Sequence, residues 1–483
     1  MNTLQVNPQY TNNVAKWQLV RDCVNDEVES KAKIGSRYGC NTGGYVIKPE
    51  GMSDSAYNAY CARAVFKNFV AQTLDVQKGA AFGKKYVFTG VDGVDLPESL
   101  NYLVSDIDGC NNSLDDQLKS VAQDIFSIGR IGALVEYQSS GDGSLADSNG
   151  AKIVTYTAES IQDWNECKLR GGKSGLDYVK LCEKYSRLDP VNYNRTDEER
   201  LIELMLDSDG LYIQKITDSA SEGFEIIEPK NGNGQRLDYI PFTFIGADSN
   251  TSCVSRLPLY RLSTINIAHY RGDADKRTNI HLFSVPTVSF NVNSDVGVDQ
   301  FMKINGLMDQ AGNPTPPTIG GTAYVGCDIG FAQASTDSFL LTSQDADVSD
   351  MIKLGAQVIS EGHAETAEAA RIRKAAGTAS LNDMVGNIQE AYIKLLSWCS
   401  MMNNASGQSD EFEFKMNDKF FDDRLSPQVL QQLIAGVMSN MIPHKALYSA
   451  MRRDGSLGVD DSMTLEDYLD LIDTQPDNLT VDV

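Results

Sequence analysis

The hydrophobic and polar positions of the chain fall into a helical block, a sheet-rich block and a second helical block. In the first, "VAKWQLVRDCVNDEVESKAKIG" carries helical patterning and runs into the glycine-rich break "GCNTGGYVIKPEG". From Ser53, "SDSAYNAYCARAVFKNFVAQTLDVQKGAAFG" reads as one helix. Ser53 or Asp54 is its N-cap, Tyr57, Cys61, Ala64 and Val65 recur at helical spacing, and Gly79 ends the run. A further helix, "SLDDQLKSVAQDIFSIGR", follows the turn "DIDG" and leads into the apolar strand "IGALVEY". From about 151 to 245 the period shortens. There "AKIVTYTA", "LDYVKLCEKYSRL", "RLIELMLDSDGLYIQKIT" and "YIPFTFIG" carry the branched and aromatic residues that favour sheets.

The second helical block opens with "LPLYRLSTINIAHYRGDADKRTNIHLF", a long helix starting after Pro258 with Leu259, Leu262, Ile265 and Ile267 as its apolar stripe. Residues 285–339 form a compact insert of short strands and Gly-, Pro- and Asn-rich turns, including "NPTPPTIGGTAYVG". "DADVSDMIKLGAQVIS" is again helical, and Leu381, Met384, Val385, Ile388, Tyr392, Leu395, Trp398 and Met402 hold the three-and-four spacing of an amphipathic helix. A strand, "EFEFKMND", and the helical stretch "SPQVLQQLIAGVMSNMIPHKALYSAMRR", broken at Pro443, precede an acidic tail. The fold class is α+β.

The 483 residues are enough for two to four domains, and 41% hydrophobic with 22% charged residues is an ordinary globular balance. No apolar run reaches the roughly 18 residues of a membrane span, and the polar N-terminus lacks a signal peptide's basic and apolar regions, so the chain is expected to be cytosolic at synthesis. The nine cysteines are dispersed with no C-x-x-C pair, which predicts reduced, partly buried thiols. A formal net charge of -24 suits poorly a protein that grips nucleic acid through phosphate neutralisation. It suits a surface that lets DNA pass without adhesion, where like charges repel.

Short motifs for common chemistry fail on spacing. "GGKS" at 171–174 lacks the leading glycine of a phosphate loop, position 167 being Cys167, and is predicted to connect two strands. "DADVSD" and "DIDGCNNSLDD" lack the glycine and terminal glutamate of a calcium loop and read as turns and helix N-caps. No second histidine turns His363 and Glu365 into a zinc-protease motif, no G-x-S-x-G elbow marks a nucleophile, and His269, His281 and His444 are isolated. No cofactor and no metal is expected. One segment keeps alternatives open: "GAQVISEGHAETAEAARIRKAAGTASL" gathers Glu361, His363, Glu365, Glu368, Arg371, Arg373 and Lys374, which on residues alone is a solvated helix face or an acid–base cluster.

The order of certain stretches carries a resemblance. Pro8 and Tyr10, Trp17, Arg21–Asp22, "YCARAVFKN", Gly79 with Phe82, "DGCNNSLDDQL", "GRIGALVEY", "YTAESIQDW", "DYIPFTFIG", "LPLYRLSTINIAHYRGDAD", "LGAQVI" and "ETAEAARIR" follow one another collinearly. Together they resemble the portal, or head–tail connector, proteins of tailed bacteriophages. That resemblance implies a wing over 1–255, a first stem helix over 256–284, a clip over 285–342 and a second stem helix over 343–360. A tunnel loop over 361–380, a long wing helix over 381–404, and a wing strand with a short helical crown over 405–483 complete it. It further implies a virion location at one capsid vertex, after assembly in the host cytoplasm. The chain would be a homo-oligomer, a dodecamer, that passes double-stranded DNA without sequence preference. Its partners would be the terminase large subunit, a head–tail adaptor, and the major capsid and scaffold proteins, with no membrane involved. On this resemblance Glu361, His363, Glu365, Glu368, Arg371, Arg373 and Lys374 of the tunnel segment face the lumen, Asn313, Pro314, Pro316 and Pro317 of the clip meet partners, and the chain is no enzyme. The alternatives are another virion structural protein, such as a head–tail adaptor, or a soluble enzyme whose site the sequence does not mark.

Overall fold

The computed structural model describes residues 6–31, 44–137, 150–168, 174–188, 192–218, 223–283, 287–292, 298–309, 313, 327–332, 338–355, 367–404, 406–417, 420, 427–439, 443 and 447. Two compact units divide the chain, Met1–Met416 and Asn417–Val483. In the second, helix α10 (Pro427–Met438) is described; everything below concerns the first.

Helix α1 (Pro8–Val24) begins ahead of its patterned stretch because Pro8 occupies the first turn and the Asn7 side chain accepts from the Gln9 amide. The helix expected from Ser53 onward is two helices. α2 (Asp54–Arg63) is capped by Ser53, whose hydroxyl accepts from the Ala56 amide, and α3 (Phe69–Ala81) is capped afresh by Asn68. Residues 64–68 between them are non-helical: Ala64 is extended at ψ 141, and the Phe69 amide turns back onto the Lys67 carbonyl at 3.0 Å. Helical spacing persists across this break in the sequence, but the backbone amides of Val65, Phe66 and Phe69 find side-chain acceptors elsewhere in the fold, as set out below. Nor does Gly79 end the run: it continues two residues further, to Ala81.

Strand β1 (Val87–Gly90) and the short helix α4 (Glu98–Asn101) lead to α5 (Leu114–Ser127), capped by Ser113. α5 turns into β2 (Arg130–Tyr137) through Gly129. Its φ is +80, and a Cβ at this position would stand 2.2 Å from the Arg256 carbonyl oxygen, so only glycine fits. β2 lies between β3 (Ala151–Thr157) and a later strand in an antiparallel three-stranded sheet. A five-stranded antiparallel sheet follows in chain order: β4 (Ile161–Lys168), β5 (Ser174–Leu188), β6 (Arg195–Leu206), β7 (Tyr212–Asp218) and β8 (Glu225–Ile227). β9 (Phe242–Gly246) then returns to β2. β5 and β6 pair from Tyr178↔Met205 out to Leu188↔Arg195. β4 flanks β5 only as far as Leu181, and β7 flanks β6 only as far as Arg200. Among the described residues the outer pairs, from Lys184↔Glu199 to Leu188↔Arg195, therefore project as a bare two-stranded ribbon.

Helix α6 (Tyr260–Phe283) enters an insert of β10 (Thr287–Val292), α7 (Val298–Ile304) and β11 (Cys327–Ala332), and α8 (Ser338–Gly355) leaves it. β10 and β11 pair antiparallel, Thr287 opposite Ala332, which brings the end of α6 and the start of α8 to one edge of the insert. α9 (Ala367–Asn403) is 37 residues long and buries Leu381, Met384, Val385, Ile388, Tyr392, Leu395 and Met402. Its Tyr392 hydroxyl donates to Gln117 of α5, whose amide donates on to the Ile153 carbonyl of β3, so one buried relay ties three elements. β12 (Phe412–Lys415) pairs antiparallel with β1. The described sheets are all antiparallel and the long helices segregate from them, an α+β arrangement.

Several bounds differ from the sequence reading. α8 starts five residues before 343 and ends at Gly355, and "DADVSD" lies inside it, neither turn nor N-cap, because Ser338 onward already supplies the helical register. α9 starts at Ala367, well before the expected 381: "AEAARIRKAAGTA" is built almost wholly of strong helix formers, which propagate the amphipathic helix backward. "DIDGCNNSLDD" is a turn as expected, with Asp106 accepting from the amides of Gly109 and Asn111 ahead of the Ser113 cap. β4 and β5 pair on either side of "GGKS", Lys168 opposite Ser174, so a strand and no helix follows it. Cys23, Cys61, Cys182 and Cys399 are reduced and buried, as expected.

Arg21 fastens α1 to the sheet region. Its Nε and Nη2 donate to the two Glu159 oxygens at 2.7 and 2.9 Å, and its Nη1 donates to Asp124 Oδ1 of α5 at 3.0 Å. Burial pushes the Asp124 carboxyl up from the usual range, and the guanidinium opposes that shift. Removing the cation leaves a buried carboxylate unpaired. Arg21→Ala should lose stability between the ~1 kcal/mol of an exposed pair and the ~3–5 kcal/mol of a buried one, read from urea denaturation with an unchanged m-value.

Candidate channel-facing segment and the helices that carry it

α6 buries a polar stripe. Ser263, Asn266, His269 and Asp273 are nearly inaccessible, whereas Ile265 of the expected apolar stripe is only half-buried. The stripe faces the link 64–68. Asn266 accepts from the Phe69 amide at 3.0 Å and donates to the Lys67 carbonyl at 2.8 Å. Asp273 accepts from the Val65 amide at 2.9 Å, and the Phe66 amide is taken by Glu29 at 2.8 Å. Tyr60 donates to Asp275 at 2.6 Å, Arg271 donates to the Tyr45 carbonyl at 2.7 Å, and the Phe66 ring meets Tyr270 edge-on. The stretches "YCARAVFKN" and "INIAHYRGDAD" are thus two halves of one clamp.

His269 is part of that packing. Its ring meets Phe69 edge-on, and burial holds its imidazole below the usual range, so it is neutral at pH 7. His281 lies exposed near the end of α6. Among the described residues no group of three or more His, Cys, Asp or Glu side chains is placed to hold a metal ion, and no helix is long and apolar enough to cross a membrane.

α8 packs on α6 through Gln344, which is buried and donates to the His269 carbonyl at 3.1 Å. The contact depends on Gly272: a Cβ there would stand 2.3 Å from Gln344 Nε2. Glycine in mid-helix, unfavourable by propensity, here permits the close approach of the two helices.

Of the candidate channel residues, Glu361, His363 and Glu365 lie outside the described residues. Glu368, Arg371, Arg373 and Lys374 fall in the first turns of α9, where the backbone alone is described. Of the clip residues, Asn313 is exposed and closes a turn on Asp309: its amide and side-chain Nδ2 donate to the two Asp309 oxygens at 2.7 and 3.0 Å. Pro314, Pro316 and Pro317 lie outside the described residues.

One site escaped the sequence reading. A cleft of about 670 Å³ opens beside the β4–β5 end of the large sheet, lined among others by Glu166, Asp238, Tyr239, Thr243, Lys394 and Trp398. Lys394 Nζ stands 4.7 Å from the Trp398 ring centre and donates to Thr243 Oγ1 at 3.4 Å, and Tyr239 lies 5.5 Å from the same ring at an interplanar angle of 31°. Desolvation lowers the Lys394 ammonium, and Glu390 acts against it. Trp398 belongs to the amphipathic stripe in the sequence, yet it is only half-buried; the four-residue spacing from Lys394 was the available signal.

Residues 258–402 match the model of a family described as a domain of unknown function, DUF4055. No curated protein matches the chain. Among solved structures the chain is similar to the neck of an empty GTA particle computed with C6 symmetry, with 10% identity, a TM-score of 0.42, and coverage of 88% of this chain and 95% of that one. It is also similar to a HK97 family phage portal protein from Corynebacterium diphtheriae, with 10% identity, a TM-score of 0.32, and coverage of 79% and 99%.

Gly272 offers a test of how the two helices meet. Gly272→Ala displaces the Gln344 amide, a loss of ~1 kcal/mol, but gains ~1 kcal/mol of helix propensity, so its melting temperature should stay near wild type. Gly272→Leu cannot be accommodated and should destabilise by ~1–3 kcal/mol, measured by thermal unfolding of both variants side by side.

Proposed function

We propose that this chain is a portal subunit of a tailed-phage particle: a ring of twelve copies at one capsid vertex, through which double-stranded DNA enters and leaves. The observation that carries this reading is the succession of α6, the β10–β11 insert, α8 and the long α9, with α6 and α8 seated on one another at Gly272 and Gln344. A stem carrying a clip, followed by a tunnel segment and a supporting helix, needs that succession, and the sequence resemblance runs through the same stretches. In this reading residues 1–255 with β12 form the wing, α6 and α8 the stem, and the insert the clip. The segment before and into α9 lines the tunnel, and the crown lies in the C-terminal unit. The net charge of -24 per copy supports a conduit through the field of the whole ring, which is of the same sign as the phosphate backbone, although the candidate lumen residues themselves balance three acidic against three basic side chains.

The clip docks the terminase motor during packaging and a head–tail adaptor afterwards, and the outer surface meets capsid and scaffold proteins. ATP hydrolysis belongs to the motor, so this chain is not an enzyme.

Electron micrographs of the purified chain should show rings of about twelve subunits with a central hole; monodisperse monomers would overturn the reading. Within such rings, Glu365→Lys with Glu368→Lys should slow DNA packaging by adding phosphate contacts, and packaging at the wild-type rate would remove these residues from the lumen. His363→Ala should leave ring formation intact.

A further inference from the structure

The large sheet carries two complementary features, one at each end of β5. At the far end the β5–β6 ribbon continues the five-stranded sheet beyond its flanking strands, which among the described residues leaves both its edges unpaired. Its tip exposes Leu188 and Tyr193, the latter 75% accessible, between the exposed Arg187 and Arg195. Tyr193 sits at φ 54, a left-handed conformation that residues bearing a side chain adopt at a cost. In the tip sequence "RLDPVNYNR" two arginines stand against one aspartate, with Asp197, Glu198 and Glu199 further along β6. At the near end, Ser174, Gly175 and Leu176 form one wall of the 670 Å³ cleft, which presents two carboxylates, Glu166 and Asp238, beside the Tyr239 and Trp398 rings. The cleft's ammonium, Lys394, is turned onto Trp398 and Thr243.

We infer that the ribbon tip of one copy docks in the cleft of a second copy of this chain, with Tyr193 among the cleft aromatics and Arg187 and Arg195 against Glu166 and Asp238. Charge and aromatic character are complementary, and tyrosine and arginine are the residue types that anchor interfaces. The tip cannot reach its own cleft: β5 runs continuously from Ser174 to Leu188, a span of roughly 46 Å at 3.3 Å per residue. Two different surfaces at opposite ends of one strand make a head-to-tail contact, which closes into a ring when the rotation allows. The inference rests on the ring reading and supplies its subunit contact.

The test uses the full chain in sedimentation velocity over a concentration series. Arg187→Glu with Arg195→Glu, or Tyr193→Ser, should raise the concentration for half-assembly at least ~10-fold. Glu166→Arg with Asp238→Arg should do the same. Mixing the two charge-reversed chains should restore assembly to within a few-fold of wild type, a recovery that misfolded variants would not give. Benzoylphenylalanine in place of Tyr193 should photo-crosslink to a neighbouring copy at peptides around Tyr239 or Trp398. Variants that assemble like wild type, absence of charge-swap recovery, or crosslinks mapping elsewhere would each overturn the contact while leaving the ring reading standing. A wild-type chain that stays monomeric at every concentration would overturn both.

Discussion

Five residues of non-helical backbone decide how the first unit is put together. The link 64–68 lies partly exposed along the surface of α6, with Ala64 buried, and its amides are taken by side chains of distant elements. α6 supplies most of the partners: Asn266 takes the Phe69 amide and returns a bond to the Lys67 carbonyl, and Asp273 takes the Val65 amide. α6 must therefore turn a polar stripe inward where an amphipathic helix would place leucines. Once that stripe is committed to the link, α2 and α3 are fixed on either side of it, and the Asn68 side chain reaches on to the Cys23 carbonyl to bring in α1. α8 seats beside the same stripe, where Gln344 donates to the His269 carbonyl next to Gly272.

The same clamp explains what was legible in the sequence. Helices whose stability comes from an apolar face were readable from spacing: α5 with its Ser113 cap, and α9 with its stripe from Leu381 to Met402. The sheet region was readable from its branched and aromatic residues. The break between α2 and α3 was not, because Ala64 and Val65 keep helical spacing while acceptors some 200 residues away hold the backbone non-helical. Local pattern sees propensity and periodicity, and a long-range acceptor on Asp273 leaves no trace in either.

The site was legible in a different way. The stretches that carried the family resemblance prove to be joints. Arg21 bridges Asp124 and Glu159, Asn266 and Asp273 hold the link, Gly129 and Gly272 permit close approaches. Such residues are tied to a fold through geometry that few other side chains satisfy, which makes them good markers of architecture. They say little about which side chains meet a ligand. The cleft at Tyr239 and Trp398 shows the converse. Trp398 read as a core position because an aromatic at helical spacing is usually buried, yet it is half-buried and lines the cleft with Tyr239.

Charge sets a last constraint on any assembly of this chain. With 66 acidic against 42 basic residues, two copies repel at every distance beyond contact, and net charge of that size favours the monomer. Self-association then requires that cations be concentrated where copies meet, since short-range pairing is the one electrostatic term able to offset the long-range repulsion. At the ribbon tip Arg187 and Arg195 flank the exposed Tyr193, and Asp197, Glu198 and Glu199 lie further back along the same ribbon. In the proposed ring, a lumen that repels DNA and subunits that hold to one another make opposite demands on charge, and pairing the Arg187 and Arg195 guanidiniums with cleft carboxylates meets the second demand without altering the first.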